Sequence, residues 1–577
     1  DISDSWCRDG SNITISGMST FSVASSTNNA IGMMFFQPKA TPAEPFIQSG
    51  SRILVEDSIF KILAPGGSGR GVLFYQSIVS SSSVTLRNVE ITTDCKMKTS
   101  LLLLSTGSHL VEASSVLLDN VTGTLVTTSG DVAVDAAASL IEVSSNTDVT
   151  GASRIEIANS VLDAEAKGAT DNNKGADGIL IASTGSVAAS EVIIRNTEMR
   201  VRSGRRASLF SVLSVSQFHD SNLSWTGGKI AVSSTSESSG DNAIGVHGEI
   251  GSLNKAAILF QDLVEWSVMG EGSTTGALLC SMVHLLSSTT DSFLGSSLQV
   301  LNSSVTVAAH GQGTAKLVYS SVEDISGSTF AFGGGGSLNV SSRDGGAYGV
   351  HLDTPDTWPI EHSQVTVTLA DQSAITVSAG GLSAGLGQNA HLILLTKFQL
   401  RGGSNIRIDG IDSTVVDTSD AAVHASLLSL SEGAGLAEES RVLINNITSL
   451  QISGTKRSTV FECTNCALSN SSVELRSIAT ATLNPRTGDA MVLTLADSNL
   501  LGSNVTIHDA SIFVGGADDG SVAQILYGLQ AHRSNFSATS IVIANSTFIL
   551  SSNSSTCGAI FLNSRLAASS TFLVDNT

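Results

Sequence analysis

The sequence predicts an all-β fold, a parallel β-helix (solenoid) of about sixteen coils with three strands per coil. Three observations predict it. A short apolar strand ending in Asn or Asp returns roughly every 30 to 40 residues from end to end. Two further β-rich runs follow each copy before the next begins. The composition is that of an ordered β-rich chain, with 41% hydrophobic and 14% charged residues and only 7 Pro, against about 25% charged in ordinary soluble proteins.

The first run of each period is the clearest. It reads ILVED at 53–57, VTLRN at 84–88, VLLDN at 116–120, IEIAN at 155–159 and VIIRN at 192–196. The series continues through ILFQD (258–262), LQVLN (298–302), VLINN (442–446), VTIHD (505–509), IVIAN (541–545) and FLVDN (572–576). Weaker copies stand at 13–17, 222–225, 328–332, 365–369, 406–410 and 473–477. The second run alternates apolar and polar residues like the first, which fits a strand with one buried face. The third is often nearly continuous apolar, as in SLLLLS at 100–105. Three strands per repeat close a triangular coil, and stacked coils place equivalent strands ~4.8 Å apart, so sixteen would extend on the order of 80 Å.

The recurring Asn or Asp has a reason at the strand end. A sharp corner needs a residue that tolerates left-handed backbone angles, and Asn, Asp and Gly do so best. When the residue recurs at one corner, its amide can also bond to the amide above and below. The expected ladder is Asp57, Asn88, Asn120, Asn159, Asn196, Asp262, Asn302, Asn446, Asp509, Asn545 and Asn576; the alternative is that these are turn residues only.

No linker divides the chain, so residues 1–577 are expected to form one continuous solenoid. Gly-rich spots such as Gly333 to Gly336 and Gly345–Gly346 read as loop excursions. A net charge of −21 argues against nucleic acid as a partner, and the basic cluster from Arg200 to Arg206 reads as a solvated turn. No run of 18 or more apolar residues exists, so no membrane span is expected in this segment. The chain starts at Asp1 and stops just after the first strand of a coil, which reads as a segment of something longer.

Eleven N-x-S/T sequons occur. Asn120, Asn302, Asn446 and Asn545 fall on the repeated corner, where the amide is available to the stack. Asn12, Asn222, Asn339, Asn470, Asn504, Asn535 and Asn553 precede strands or lie in loops and rank ahead of them as acceptors of N-linked glycans. Of 6 cysteines, Cys463 and Cys466 form a lone CxxC. No second pair or nearby His suits zinc, and a redox motif would want a βαβ setting. A short-range disulfide in an extracellular loop is expected, two free core thiols being the alternative.

Catalytic signals are thin. Asn146-Thr147-Asp148, His247-Gly248, His310-Gly311 and Asp518–Asp519 are fragments of polysaccharide-hydrolase motifs in the wrong order. A lyase would want clustered carboxylates and a base, but the acidic residues are scattered. Trp6, Trp225, Trp266 and Trp358 lie in widely separated coils. The loop 515–520 (GGADDG) reads as an acidic surface turn rather than a calcium site, and GGGGS at 333–337 as a flexible turn rather than a phosphate site. No metal site, cofactor or enzymatic activity is expected.

The Val-x-Ile/Leu-x-Asn/Asp strands over essentially the whole length resemble the right-handed, pectin-lyase-like parallel β-helix. The Ser/Thr/Val/Asn-rich texture and sequons are similar to large protist surface glycoproteins of the kinetoplastid dispersed-gene-family type. What the resemblance implies is a surface or secreted stalk with no active site to carry over. The expected function is therefore a glycosylated extracellular stalk or filament subunit, self-associating end to end or with other surface proteins. The alternatives are an adhesin that binds glycans or proteins through one loop-rich face, near 164–177, 236–243 and 342–363, and a polysaccharide lyase or hydrolase.

Overall fold

The computed structural model describes all residues other than 1, 4–6, 18–19, 37–46, 129–136, 168–174, 214, 236–241, 250–251, 272–278, 287–292, 311–312, 323, 355–359, 381–388, 419–423, 487, 516–524, 552–554, 568 and 576–577. The described residues are all-β, without a helix, and form a parallel β-solenoid. Two compact units emerge, Asp1–Glu271 with His284–Leu298, and Gly272–Val283 with Gln299–Thr577.

One turn of the first unit shows the plan. The first-face strand Ser115–Asp119 leads through Asn120 into the second-face strand Thr122–Thr127. The chain then returns along a long face, Ala137–Ser144, and closes through a short strand, Asp148–Val149. Every ladder within the turn is parallel and in register with its neighbours: Val116 pairs with Val84 on one side and Ile155 on the other. The second unit repeats the plan, with Ile406 beside Val367 and Val442.

The three expected runs are therefore joined by a fourth, a two- to four-residue strand that periodicity could not register. Six such strands occur in one sheet, all in the first unit, and seven in another, all in the second. About 13 turns thus carry this fourth strand, while the long face runs to 17 strands. In other turns the corner is too short for two consecutive ladder bonds, as at the single-residue bridges Cys7–Ile47 and Ile47–Val79.

Register places like on like. In the first unit Ile53, Val84, Val116, Ile155, Val192, Leu223 and Ile258 form one inward row, each at most 2% exposed. Burying each such side chain contributes roughly 1.5–3 kcal/mol. Trp225 and Trp266, expected in widely separated coils, instead lie in adjacent ones and belong to this interior, both packed against Phe260 with ring centroids 6.3 and 4.3 Å away.

The Asn/Asp corner is where the first face turns into the second. Asp57, Asn88, Asn120, Asn159, Asn196, Asp262, Asn302, Asn446, Asp509 and Asn545 all hold φ between 47 and 55°. The weaker copies turn the same way with Gly17, Gly227, Asp371, Gly410 and Ser477. A side-chain ladder runs through part of this row: Asn88 Nδ2 donates to Asp57 Oδ1 at 2.9 Å, and Asn120 Nδ2 to Asn88 Oδ1 at 2.9 Å. One coil on it shifts, and Asn159 donates to Asp119 at 3.1 Å instead. In the second unit Asn445, not the corner residue Asn446, donates to Asp409 at 2.9 Å. Asn576 lies outside the described residues. The common property of the row is thus backbone conformation, with the amide ladder confined to some of its coils.

A second corner is built from serine. Ser51, Ser82, Ser114, Ser153, Ser190 and Ser221 stand two residues before the inward row just described, and all are buried. Where the ladder breaks to turn, several of their hydroxyls meet main-chain groups, though those of Ser82 and Ser153 have no partner: Ser114 Oγ donates to Val79 O at 2.9 Å, and Ser221 Oγ accepts from the Ser190 amide at 3.1 Å. Ser404, Ser440, Ser471 and Ser503 repeat the arrangement in the second unit. Buried polar main chain needs such partners, which accounts for part of the serine content.

These corners separate backbone from side-chain contributions. Asn88→Gly keeps the left-handed geometry and loses only the ladder bonds, whereas Asn88→Ala adds a backbone penalty of about 1–2 kcal/mol. Urea unfolding is expected to rank wild type above Asn88→Gly above Asn88→Ala; an alanine variant as stable as the glycine one would show that the corner does not depend on residue conformation.

Candidate functional site

The long face differs from the other two in bending. In every long strand of the second unit's sheet that pairs on both sides the register passes over one position, as at Gly349 and Leu392 between the paired residues on either side. A Cβ on Gly349 would stand 2.4 Å from Leu392 O, so at this coil the backbones approach too closely for a side chain, although Leu occupies the equivalent position in the neighbouring coils. Skipping one position makes residues three apart share the outward side. The long strands thereby carry two outward rows, and these rows are where ionisable groups collect.

In the second unit one row holds Lys316, Tyr348, His391 and Ser426, and the other holds Tyr319, His351, Leu394 and Ser429. Lys316 Nζ lies 3.3 Å from the ring centroid of Tyr319 and 5.6 Å from that of Tyr348. Tyr348 in turn stacks against His391 at 5.8 Å and meets His351 at 5.2 Å, while Tyr319 meets His351 at 5.3 Å. His391 Nδ1 shares a 2.5 Å hydrogen bond with Ser426 Oγ. Lys316 and His391 are buried, and Tyr319, Tyr348 and His351 half-buried, so the aromatic rings form the outer wall of the cluster.

Burial sets the protonation states. It pulls Lys316 down to about 7, with Asp353 opposing the shift, and the Tyr319 π face also favours the charged form. Desolvation is the larger effect for an amine with no carboxylate at ion-pair distance. Burial pushes Tyr348 up to about 12. It holds His351 well below the ordinary imidazole value, helped by Lys316 and His391, and lowers His391 to about 3, helped by His424. Both ring nitrogens of His351 lack a hydrogen-bond partner. The cluster can therefore supply a neutral amine, two protonated phenols and neutral imidazoles on one patch.

The first unit carries a smaller counterpart. Arg206 and Asp177 form a buried ion pair at 3.2 Å, and Ser211 Oγ donates to Asp177 at 2.8 Å. His247 and His284 stack at 5.5 Å, and burial, then Arg206 and His284, holds His247 well below its ordinary value. Farther along the face Lys98 meets the buried Glu142 at 2.5 Å.

The residues singled out by sequence are dispersed. Asn12, Asn222, Asn339, Asn470, Asn504 and Asn535 are exposed, and so are the corner asparagines Asn120, Asn302, Asn446 and Asn545; Asn553 lies outside the described residues. Corner placement alone does not separate the two groups, because Asn535 Nδ2 is itself engaged, donating to Asn499 Oδ1 at 3.0 Å. Asn470 and Asn504 line the same surface hollow of about 320 Å³. Cys463 and Cys466 form a bridge with Cα atoms 5.6 Å apart. Both are buried at the corner that closes the long face, so the bridge sits in the coil wall rather than in an exposed loop.

The cluster from Arg200 to Arg206 is not a free basic turn: Arg200 pairs with Glu198, Arg202 with Asp163 at 2.6 Å, and Arg206 with Asp177. Asp148 of the Asn146-Thr147-Asp148 fragment meets His109 at 3.2 Å. Asp518–Asp519, Gly311, Trp6 and Trp358 lie outside the described residues. The region 342–363, read as a loop, contains the strands Ala347–Asp353 and Ile360–Ser363, and 164–177 and 236–243 are described only in part. Among the described residues no group of three or more His, Cys, Asp or Glu is placed to hold a metal ion. No helix among them is long and apolar enough to cross a membrane.

The Lys316 cluster was missed because its members are about 40 residues apart in pairs. The usable signal is a polar residue at i and i+3 inside an otherwise apolar third run: Lys316/Tyr319, Tyr348/His351, Ser208/Ser211, Ser139/Glu142 and Thr459/Glu462. No known family model matches this chain, and no curated protein matches it significantly.

Acid should act on these imidazoles. Their pKa values are depressed in the folded state, so the unfolded chain binds more protons as pH falls. Stability that is present above pH 6.5 is lost on the way down to about 3 for His391 and to about 4 for His362, a fully buried imidazole elsewhere in the second unit that stacks on Phe398. Each contributes on the order of a few kcal/mol to that loss. Urea melts at pH 7.5 and 4.5 are expected to show the decline, and His391→Gln should flatten it; an unchanged pH slope in that variant would remove His391 from the account.

Proposed function

We propose that this chain is a structural extracellular glycoprotein, a β-helical stalk or filament subunit of a cell surface or extracellular fibril. The observation that carries this reading is the in-register stacking within each unit, where inward rows are apolar and corners are fixed by left-handed residues. Such stacking resists extension because every internal strand is paired on both sides. Exposure of all the described sequon asparagines supports the glycoprotein part. The likeness to right-handed, pectin-lyase-like helices and to protist surface glycoproteins of the dispersed-gene-family type belongs to the same proposal. So do secretion, association with copies of itself or other surface proteins, and the lack of an enzymatic role.

One observation favours a second reading, an adhesin. Tyr319 and Tyr348 present half-buried rings on one face, and exposed aromatic area of that kind suits a glycan or protein partner.

Electron microscopy of native material, with intact-glycopeptide mass spectrometry on the same sample, tests the first reading. Regular fibrils or stalks bearing glycans at Asn12, Asn222 or Asn504 are expected. Discrete, unglycosylated particles would overturn it. Retention on a glycan array that Tyr348→Ala abolishes would favour the adhesin.

A further inference from the structure

We propose that Lys316 is a nucleophilic amine that takes a small aliphatic aldehyde as a reversible imine, with His351 carrying the proton between nitrogen and oxygen. The site goes beyond the scaffold reading and does not depend on it.

Three observations converge. First, Lys316 is the one buried lysine among the described residues. Lys98, Lys167 and Lys397 have carboxylate partners in Glu142, Glu165 and Glu432. Lys316 has aromatic faces instead, with no carboxylate oxygen within ion-pair distance among the described residues. Second, the cluster opens outward. Ala315, Leu317 and Val318, flanking Lys316 and turned inward, are at most 1% exposed, whereas Tyr319, Tyr348 and His351 are only half-buried. These half-exposed rings are the solvent-facing side of the cluster, with the amine behind them. Third, His351 touches both tyrosines, and neither of its ring nitrogens has a hydrogen-bond partner. With both nitrogens unpartnered the ring can pass a proton on without holding it, in keeping with the low proton affinity that burial gives His351.

The protonation state fits the geometry. With its pKa near 7, about half of Lys316 is neutral at neutral pH, against on the order of one in a few thousand for an exposed lysine. The neutral nitrogen attacks the carbonyl carbon, forming a C–N bond as the C=O π pair moves to oxygen. His351 takes a proton from nitrogen and delivers it to that oxygen, giving a carbinolamine. A proton taken from water and relayed by His351 leaves with the hydroxyl as the nitrogen lone pair forms C=N, and the iminium proton passes back through His351 to water. Amine plus aldehyde gives imine plus water, with no change in oxidation state.

The intact chain treated with glyceraldehyde and cyanoborohydride at pH 7, followed by peptide mapping, tests this. Cyanoborohydride donates hydride to the imine and fixes it as a secondary amine. Lys316 is expected to label at least tenfold faster than the exposed Lys61, Lys229 and Lys456, with the rate rising through a midpoint near pH 7. Labelling of Lys316 no faster than those three would overturn the proposal, as would a fast phase that persists in Lys316→Met. His351→Gln, folded by circular dichroism, is expected to slow Lys316 labelling severalfold and leave the exposed lysines unchanged. An unchanged Lys316 rate in that variant would overturn the proton-carrier role.

Discussion

Within each unit the dominant constraint is that neighbouring coils are hydrogen-bonded in parallel, in register, about 4.8 Å apart. Side chains at the same level of adjacent coils are then in contact, so each position belongs to a row rather than to a single strand. An inward row tolerates Val, Ile and Leu interchangeably, as from Ile53 to Ile258, because the space is set by neighbours of the same kind. A row at a corner must share a backbone conformation, and the conserved quantity there is φ. This is why Asp57, Asn88, Gly227 and Ser477 can occupy one structural position despite different side chains.

The same constraint explains how the long face accepts charge. Regular alternation would leave outward positions two apart and inward positions between them. The skipped residue, such as Gly349, breaks that alternation in the same place in successive coils, and the outward rows become three residues apart. Ring then stacks on ring and imidazole on phenol across coils because register leaves them nowhere else to go. Lys316 lies over Tyr319 within its own strand and faces Tyr348 in the next. The cluster is a product of register acting on a few polar substitutions in an apolar run.

Much of the fold was legible because the signal is repeated. The first-face strands, their Asn/Asp ends and the alternating second run each recur many times, and recurrence compensates for a weak individual pattern. The fourth strand was not legible, since three residues such as Ser186 to Ala188 are too few to show a period. The serine corner was written in the sequence two residues before each first-face strand, but it emerges only when the copies are aligned. The Lys316 cluster was hidden by the reading of the third run as continuously apolar, from SLLLLS at 100–105, where the outward positions happen to be Ser100 and Leu103. Sequence also ranked sequons by corner position, while the structure leaves corner and non-corner asparagines alike exposed.

A coil that bonds only to its neighbours also limits the damage done by an unfavourable residue. Burying a lysine without a carboxylate, or an imidazole with both nitrogens unpartnered, costs stability. In a single globular core that cost would fall on the whole cooperative unit. In a stack it falls mainly on the local coil and the interfaces beside it, and rows of Val, Ile and Leu on the inward side of the same strands offset it. The apolar residues flanking the cluster, Leu317, Val318, Val350 and Ile393, are fully sealed. The inward side of a strand can thus be fixed by packing while the outward side remains free to carry groups held away from their ordinary protonation states, and chemistry can be placed on a repeat scaffold without altering the repeat.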